Sequence, residues 1–179
     1  GGATDATRAT FTGGDASGLG TIVNNDTAVL SINDRSVSES GVFTFTITSS
    51  NPTETDITGT IDTADIALEA LAGTDYTAIV GATFTITGDS TDLTDTVTVT
   101  VNNDNIVEDD ETFNVNLSAA LFGGATDATR ATFTGGDASG LGTIENNDTA
   151  VLSINDISLS ESGVFTFTIT SSNPTDTNI

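Results

Sequence analysis

The sequence predicts an all-β fold, an antiparallel two-sheet sandwich that is repeated in tandem along the chain. Three observations predict it. The chain contains a long copy of itself, its apolar residues alternate with threonine at the period of a β-strand, and turn-forming residues separate the alternating segments.

The internal copy has the length of a domain. Residues 2–22 recur without change at residues 124–144, an offset of 122 residues, and NNDTAVLSIND at residues 24–34 returns at residues 146–156. A period of this length corresponds to a whole domain rather than to one turn of a solenoid. A unit of that size buries a hydrophobic core of its own.

A domain that begins at the strand-like AVLSIN divides the chain into three parts. Residues 27–148 form one complete repeat, residues 1–26 the end of a preceding repeat, and residues 149–179 the start of a following repeat. Both terminal parts are therefore incomplete. We expect either that the chain belongs to a longer array or that neighbouring chains complete its ends.

Each predicted strand has one apolar face and one polar face. In residues 42–48, Phe43, Phe45 and Ile47 alternate with valine and threonine. The same alternation occurs at Phe84 and Ile86, at Val97, Val99 and Val101, and at Phe113, Val115 and Leu117. Alternation with one solvated face is typical of antiparallel sheets, and about seven short strands per repeat favour a sandwich of two sheets.

Turn-forming residues lie between these strands. Asn-Pro at residues 51–52, Gly-Asp at 88–89 and Asn-Asn-Asp at 102–104 tolerate positive φ or form side-chain-capped turns. The exception is ADIALEALA at residues 64–72, in which apolar residues lie among alanines. This segment is expected to form a short helix or an irregular crossover.

The composition argues against catalysis. Cysteine and histidine are absent, and the three basic residues are all arginine. The chain therefore has no thiolate nucleophile, no imidazole base and no lysine for Schiff-base chemistry. Carboxylate pairs alone serve some glycosidases, but here no tryptophan provides a sugar platform. We expect the protein not to be an enzyme.

The charge limits the partners of the protein. The chain has a net charge of −23, and residues 27–148 contain 20 acidic residues against Arg35 and Arg130, which gives −18 for one repeat. Nucleic acid and anionic membranes are poor partners for such a surface. No apolar run reaches the length of a membrane-spanning helix, so no direct membrane insertion is expected.

Acidic residues concentrate where strands are predicted to end. They are Glu39, Asp62, Asp65, Asp75, Asp104 and the EDDE segment at residues 108–111. Loops from several strands meet at one end of a sandwich, so these carboxylates are candidates to converge on Ca²⁺, which binds six to eight oxygen ligands. The alternative is a solvated acidic surface that protects sheet edges from aggregation. In EDDE, alternation lets only some of the side chains reach an ion.

The repeat resembles the Calx-β domain, the sandwich module of sodium–calcium exchangers, of integrin β4 and of large bacterial surface proteins. The matching segments are AVLSIND with SVSESG, Thr63-Ala64-Asp65, AGTDYTA, VNNDNIVEDDETFNVNLS and the closing GTIENND. Their order and spacing cover the whole repeat. The resemblance implies an immunoglobulin-like sandwich and calcium-binding loops at one end.

The resemblance also implies a set of calcium ligands. They are Glu39, Asp65, Asp75, Asn103 and Asp104, with Glu108 close by and with Glu161 as the counterpart of Glu39 in the following repeat. Two departures from the family pattern matter: an asparagine at 103 where paired acids are common, and Ile66-Ala67 after Asp65. Fewer carboxylates imply weaker binding or fewer ions, which suits a millimolar extracellular site.

These observations predict a structural or adhesive segment of an extracellular or cell-surface protein. Identical sandwiches would stand in series and be stiffened by Ca²⁺ near the junctions, with Asp26 and Asp148 as candidates for bridging adjacent domains. The expected partners are neighbouring repeats of the same protein, with other copies of the chain as an alternative. The alternative is a self-assembling filament in which neighbouring chains complete the terminal domains by strand addition. A ligand-binding adhesin head is disfavoured, because the loops are copied between repeats.

Overall fold

Twelve β-strands and no helix form the secondary structure of residues 17–177, the part of the chain that the computed structural model describes. The strands are β1 (Ala28–Ile32), β2 (Arg35–Ser38), β3 (Val42–Ser49), β4 (Ile57–Asp65), β5 (Ala82–Ile86), β6 (Thr94–Thr100), β7 (Glu111–Phe122), β8 (Ala125–Thr126), β9 (Ala131–Thr132), β10 (Ser139–Glu145), β11 (Leu152–Ile154) and β12 (Ile169–Ser171). Over this range no helix is long and apolar enough to cross a membrane.

Strands β1 to β10 form two sheets. One has the order β6-β3-β1-β9, and the other has the order β2-β10-β7-β4-β5 with β8 beside β7. Most neighbouring strands are antiparallel, and the predicted all-β sandwich is confirmed. Two pairs, β1 with β9 and β2 with β10, are parallel. Only two residues separate β1 from β2, so the chain keeps its direction as it passes from one sheet to the other.

Aromatic rings fill the space between the sheets. Phe43, Phe45, Tyr76 and Phe113 are fully buried. The ring of Phe113 stacks on Tyr76 with a centroid distance of 4.2 Å and meets Phe43 edge to face at 5.1 Å. In β3 the aromatic residues are buried while the threonines between them are exposed or half-buried. The alternation in the sequence therefore predicted the core face correctly.

A glycine in β10 makes room for this core. Gly142 pairs with Phe113 across β10 and β7, and a Cβ atom on Gly142 would lie 2.6 Å from the Cε1 and Cζ atoms of the Phe113 ring. That ring is held between Tyr76 and Phe43. Position 142 therefore has no space for a side chain.

Gly142→Ala is expected to lower the free energy of unfolding by about 1–3 kcal/mol, because the Phe113 ring must shift in a packed core. Urea unfolding of the 179-residue chain measures this change. Gly20→Ala is a matched control: Gly20 is the copy of Gly142 in the preceding repeat, and a Cβ atom there would meet no atom of the described residues within 4 Å. Equal losses for the two substitutions would contradict the packing argument.

Residues 66–81 form an irregular crossover between β4 and β5. The helical alternative for residues 64–72 is wrong: Ala64 and Asp65 belong to β4, and Leu68 has a φ of 67°. The Asp65 carboxylate accepts a hydrogen bond from the Ala72 N–H at 2.9 Å. A side chain that bonds to the backbone in this way competes with a helix, and a positive φ interrupts one.

Residues 149–177 repeat only part of the fold. Strands β11 and β12 pair in the register of β1 and β3, since Leu152 lies opposite Ser171 as Leu30 lies opposite Ser49. Their apolar side chains are exposed, however: Phe165 is 54% exposed, whereas its counterpart Phe43 is fully buried. The remaining strands of a repeat are needed to cover this face.

Candidate metal centre

The acidic loops of the complete repeat lie at one end of the sandwich. Strand pairing places them there, because Val42 pairs with Thr100, Asp65 with Phe113 and Ile144 with Glu111. The ends of β4, β6 and β10 are thus beside the beginnings of β3 and β7, and the end of β2 is beside that of β10. We call this end the acidic pole. The predicted convergence of loops from several strands occurs here.

Three carboxylates that are distant in sequence meet at the acidic pole. Glu39, Asp104 and Asp148 have ligand oxygens that all lie within 4.8 Å of one another. Glu39 follows β2, Asp104 lies between β6 and β7, and Asp148 follows β10. We call this group the Glu39 cluster. It brings together three residues that the sequence predicted as ligands or bridges.

Glu39 is buried in this cluster and has no cationic partner among residues 17–177. The residue is only 5% exposed to solvent. Burial raises the pKa of Glu39, the N–H of Asn147 opposes this by donating a hydrogen bond, and the charges of Asp148 and Asp104 raise the pKa further. The Oδ2 atom of Asp148 is buried, and no group in the described part of the chain donates a hydrogen bond to it. Both carboxylates are therefore short of positive charge.

A second group of carboxylates adjoins the first. Asp75, Glu108 and Glu111 also have ligand oxygens within 4.8 Å of one another, and we call them the Glu111 cluster. Burial raises the pKa of Glu108 to about 7, with contributions from the charges of Asp104 and Asp75. Burial likewise raises the pKa of Glu111 to about 7, with contributions from Asp75 and Glu108.

The two clusters act on each other electrostatically. Asp104 and Glu39 of the first cluster both raise the pKa of Glu108 in the second. In the described part of the chain, the ion pairs of Arg130 are with Glu54 and Asp127, away from these clusters. The acidic pole therefore concentrates six carboxylates that no arginine neutralises in residues 17–177.

Two of the predicted ligands lie beside the clusters rather than within them. Asp65 is exposed, and its Oδ1 atom accepts hydrogen bonds from the Tyr76 hydroxyl at 2.7 Å and from the Ala72 N–H. Both bonds hold the pKa of Asp65 below its ordinary value, and the bond from Tyr76 has the larger effect. Asn103 is exposed and accepts a hydrogen bond at 3.1 Å from Asn147, the residue before Asp148.

Two other predicted residues lie away from the acidic pole of the complete repeat. Asp26 precedes β1, whose first residues lie beside the last residues of β3, so Asp26 is at the opposite end of the sandwich. Glu161 lies in residues 149–177 and is exposed, whereas its counterpart Glu39 is buried. Asp26 is the copy of Asp148 in the preceding repeat, and Glu161 is the copy of Glu39 in the following repeat.

Sequence reasoning missed two acidic residues that organise this pole. Glu111 was expected only as one of four acids in EDDE, yet it is the first residue of β7 and a member of its cluster, while its neighbours Asp109 and Asp110 are exposed. Glu69 accepts hydrogen bonds from the N–H and the hydroxyl of Thr112, and so ties the crossover to β7. The position of Glu111 immediately before the alternating β7 residues was the available signal.

The donor set fits a hard divalent cation. The two clusters offer carboxylate oxygens, which Ca²⁺ prefers, and the Asn103 side-chain oxygen lies beside Asn147, next to Asp148. The observation that separates this site from an ordinary acidic surface is burial: among residues 17–177, Glu39 is removed from water with the Asn147 N–H as its donor, and the Oδ2 atom of Asp148 is removed from water with no donor. A buried carboxylate without a partner is costly, and a bound cation offsets that cost.

Without divalent cations, the chain is expected to become less stable as the pH rises from about 4.5 to about 7. Glu108 and Glu111 have a pKa of about 7 in the folded chain, against 4.5 ordinarily. The folded state therefore keeps protons in this range that the unfolded state loses, and ionisation favours unfolding. The pKa values of Asp65 and Asp127 are lowered, so these residues change the stability only at pH values below this range.

Melting temperatures in a chelator, measured across this pH range, test the prediction. Glu111→Gln is expected to flatten the dependence, because the substituted side chain cannot ionise. A melting temperature that rises with pH through the same window would contradict the assigned pKa direction.

Comparison with known proteins agrees with the fold and with the resemblance in the sequence. A protein-family model described as the Calx-beta domain matches residues 24–138. The crystal structure of the apo-form Calx CBD1 domain is similar with a TM-score of 0.56 and 17% identity, and the match covers 69% of this chain and 100% of that chain. No curated protein sequence matches.

Two longer structures are also similar. The structure of calcium binding domain CBD12 of CALX1.1 has a TM-score of 0.55 and 18% identity, with 75% of this chain and 53% of that chain covered. The structure of CBD12 from CALX1.2 has a TM-score of 0.55 and 18% identity, with coverage of 71% and 48%. This chain thus spans about half of each. Together with a family match over more than half of its length, the sandwich and its acidic pole show that this chain belongs to the Calx-β domain family.

Proposed function

We propose that this chain is a structural or adhesive segment of an extracellular or cell-surface protein, in which Calx-β sandwiches stand in series and bind Ca²⁺ at the acidic pole. The observation that carries the proposal is the convergence of six carboxylates from separate loops, with Glu39 buried among them. Burial and mutual repulsion make this arrangement unfavourable without a cation.

The surroundings of the acidic pole support an array. Residues 149–177 begin directly after Asp148, and the Val107 N–H donates a hydrogen bond to the Pro174 carbonyl at 3.0 Å. The following repeat therefore contacts the loop that carries Glu108. An ion at this pole would stiffen the junction between repeats as well as the loops of one repeat.

Comparison supports calcium as the ion, since one of the similar structures is described as a calcium binding domain. Asparagine at 103, where the family often has an acid beside Asp104, removes one ligand charge, which favours the weak binding of extracellular modules, with a Kd of roughly 10⁻⁴ to 10⁻³ M. The proposed role is non-catalytic: the acidic pole provides ligands for a cation, and the sequence contains no histidine base and no cysteine nucleophile.

Calorimetric titration of the 179-residue chain with CaCl₂ tests the proposal. Saturable binding is expected, and Glu108→Gln is expected to weaken it by roughly ten-fold, about 1.4 kcal/mol, because one ligand charge is lost. Asp109→Asn is the matched control, since it removes the same charge from the exposed neighbouring side chain. Absence of binding, or equal weakening by both substitutions, would reject this site.

A second candidate is a filament in which another chain completes residues 149–177. The apolar side chains of this segment favour it, since Phe165, Phe167 and Ile169 are each more than half exposed while their counterparts in the complete repeat are fully buried. Strands from a neighbouring molecule would cover this face. Sedimentation of the 179-residue chain over a range of concentrations tests this, because a monomer at every concentration excludes it.

A further inference from the structure

A pocket lies at the end of the sandwich opposite the acidic pole. It has a volume of ≈ 300 Å³, and its lining includes Asp26, Asn51, Glu54, Phe122 and Arg130. The Arg130 guanidinium lies 5.1 Å from the centre of the Phe122 ring and donates a hydrogen bond to Glu54 at 2.8 Å. We call it the Arg130 pocket. It places one of the few cations of this acidic chain beside the start of the repeat.

Residues 51–54, which line this pocket, have a copy later in the chain that contacts the complete repeat. Residues 173–176 are the copy of residues 51–54, with aspartate in place of Glu54. In the copy, Val107 forms a parallel bridge with Thr175: the Val107 N–H donates to the Pro174 carbonyl, and the Asp176 N–H donates to the Val107 carbonyl at 3.2 Å. The segment at the start of one repeat thus binds loop 102–110 of the repeat before it.

The segment before β1, which also lines the pocket, supports the same conclusion independently. Asp26 is the copy of Asp148, and Asn24 is the copy of Asn146. In both copies the asparagine amide donates to the aspartate carbonyl, and the aspartate N–H donates to the asparagine side chain. Asp148 is part of the Glu39 cluster of its own repeat, and Asp26 lines the Arg130 pocket. In an array, the acidic pole of a preceding repeat would therefore adjoin this pocket.

We propose that the Arg130 pocket is the docking site for loop 102–110 of the preceding repeat, so that repeats stack with the acidic pole of one against the Arg130 pocket of the next. The backbone contact of Val107 with residues 174–176 favours this partner, because residues 52–54 of the pocket are the copy of that segment. Arg130 is the cation of a lining that also includes Asp26 and Glu54, and the docked loop would bring Asp104 and Glu108 towards it. The copy of Arg130 in the following repeat would pair with Asp176, as Arg130 pairs with Glu54. The proposal rests on the arrangement of repeats in series but not on a bound ion.

A chain with two complete repeats tests the interface. Ile179 is the copy of Ile57, so continuing residue 179 with a second copy of residues 58–148 completes the second repeat. Nuclear magnetic resonance relaxation of backbone ¹⁵N nuclei then gives the rotational correlation time of each repeat. We expect both repeats to tumble as one body, with Val107 and Asp176 amides protected from hydrogen exchange.

The matched substitutions are Arg130→Glu in the second repeat, where Arg130 faces the interface, and Arg130→Glu in the first repeat, where no complete repeat precedes it. The substitution in the second repeat is expected to shorten both correlation times to those of single repeats. The substitution in the first repeat is expected to leave them unchanged. Because the two domains are copies, the substitution in the first repeat also shows whether a repeat with Glu at 130 still folds. Independent tumbling of the unsubstituted repeats, or equal effects of the two substitutions, would overturn the proposal.

The same measurements in a chelator and in CaCl₂ separate this proposal from the proposed function. Joint tumbling that persists in the chelator, together with an absence of calcium binding, supports the interface and rejects the ion site. Calcium binding to repeats that tumble independently in both conditions supports the ion site and overturns the interface.

Discussion

Calcium is expected to raise the melting temperature of the 179-residue chain by about 10 °C relative to the same chain in a chelator. A ligand that binds only the folded state at 100 times its Kd stabilises that state by about 2.7 kcal/mol, and each kcal/mol raises the melting temperature of a domain of this size by a few degrees. The cation also relieves the repulsion among Glu39, Asp104 and Asp148. Differential scanning calorimetry measures the shift.

A substitution in the Glu111 cluster distinguishes two causes of stabilisation by CaCl₂: relief of the repulsion among carboxylates, and general effects of salt on the melting temperature. Glu111→Gln is expected to raise the melting temperature in the chelator, because it removes a half-buried charge from among Asp75 and Glu108. The same substitution is expected to reduce the increment that calcium produces, because it removes a ligand. A melting temperature that falls in the chelator, with an unchanged calcium increment, would contradict the role of Glu111 at the site.

Replacing Phe43 with alanine is expected to lower the free energy of unfolding by about 3–5 kcal/mol, because it leaves a cavity between the sheets. The Phe43 ring is fully buried, stacks on Phe45 at 5.4 Å and meets Phe113 at 5.1 Å. A loss of this size is a large fraction of the stability of one domain. Urea denaturation, followed by circular dichroism, measures it.

The chain contains a matched control for this substitution. Phe165 has the same neighbours in sequence as Phe43, and its ring stacks on that of Phe167 at 6.1 Å, but it is 54% exposed. Phe165→Ala is therefore expected to change the free energy of unfolding by less than about 0.5 kcal/mol. Similar losses at the two positions would show that residues 149–177 are covered in solution, which is the outcome that the filament predicts.

The core and part of the site were predictable from residues alone. Period-two alternation identified Phe43, Phe45 and Phe113 as core residues, because a strand places alternate side chains on opposite faces. The acidic loops that follow β2, β6 and β10 predicted a common end for Glu39 and Asp104, because loops of a sandwich meet at its two ends. These inferences needed only the local period and the order of strands.

Membership of each cluster was not predictable in the same way. Asp65 and Glu111 both lie at strand ends, yet the Asp65 carboxylate is taken up by Tyr76 and Ala72, while Glu111 faces Asp75 and Glu108. Sequence shows that a residue is acidic and where its strand ends. It does not show which backbone N–H or hydroxyl reaches that carboxylate first, because the competing donors come from another part of the chain.

The two copies of one sequence show where local information ends. Residues 27–49 and 149–171 are nearly identical, and both form an antiparallel pair in the same register. Strand β3 nevertheless spans eight residues and β12 only three, and β1 has five residues where β11 has three. The longer strands are those that also pair with β6 and β9.

The sequence by itself determined the repeat, the alternation that marks the core face, the pairing of β1 with β3 and the acidic character of the loops. The tertiary structure decided how far each strand extends, which carboxylates share a cluster and which copy of a phenylalanine is buried. The physical reason is that hydrogen bonds between distant strands and the exclusion of water require both sheets, which only the complete repeat provides in residues 17–177.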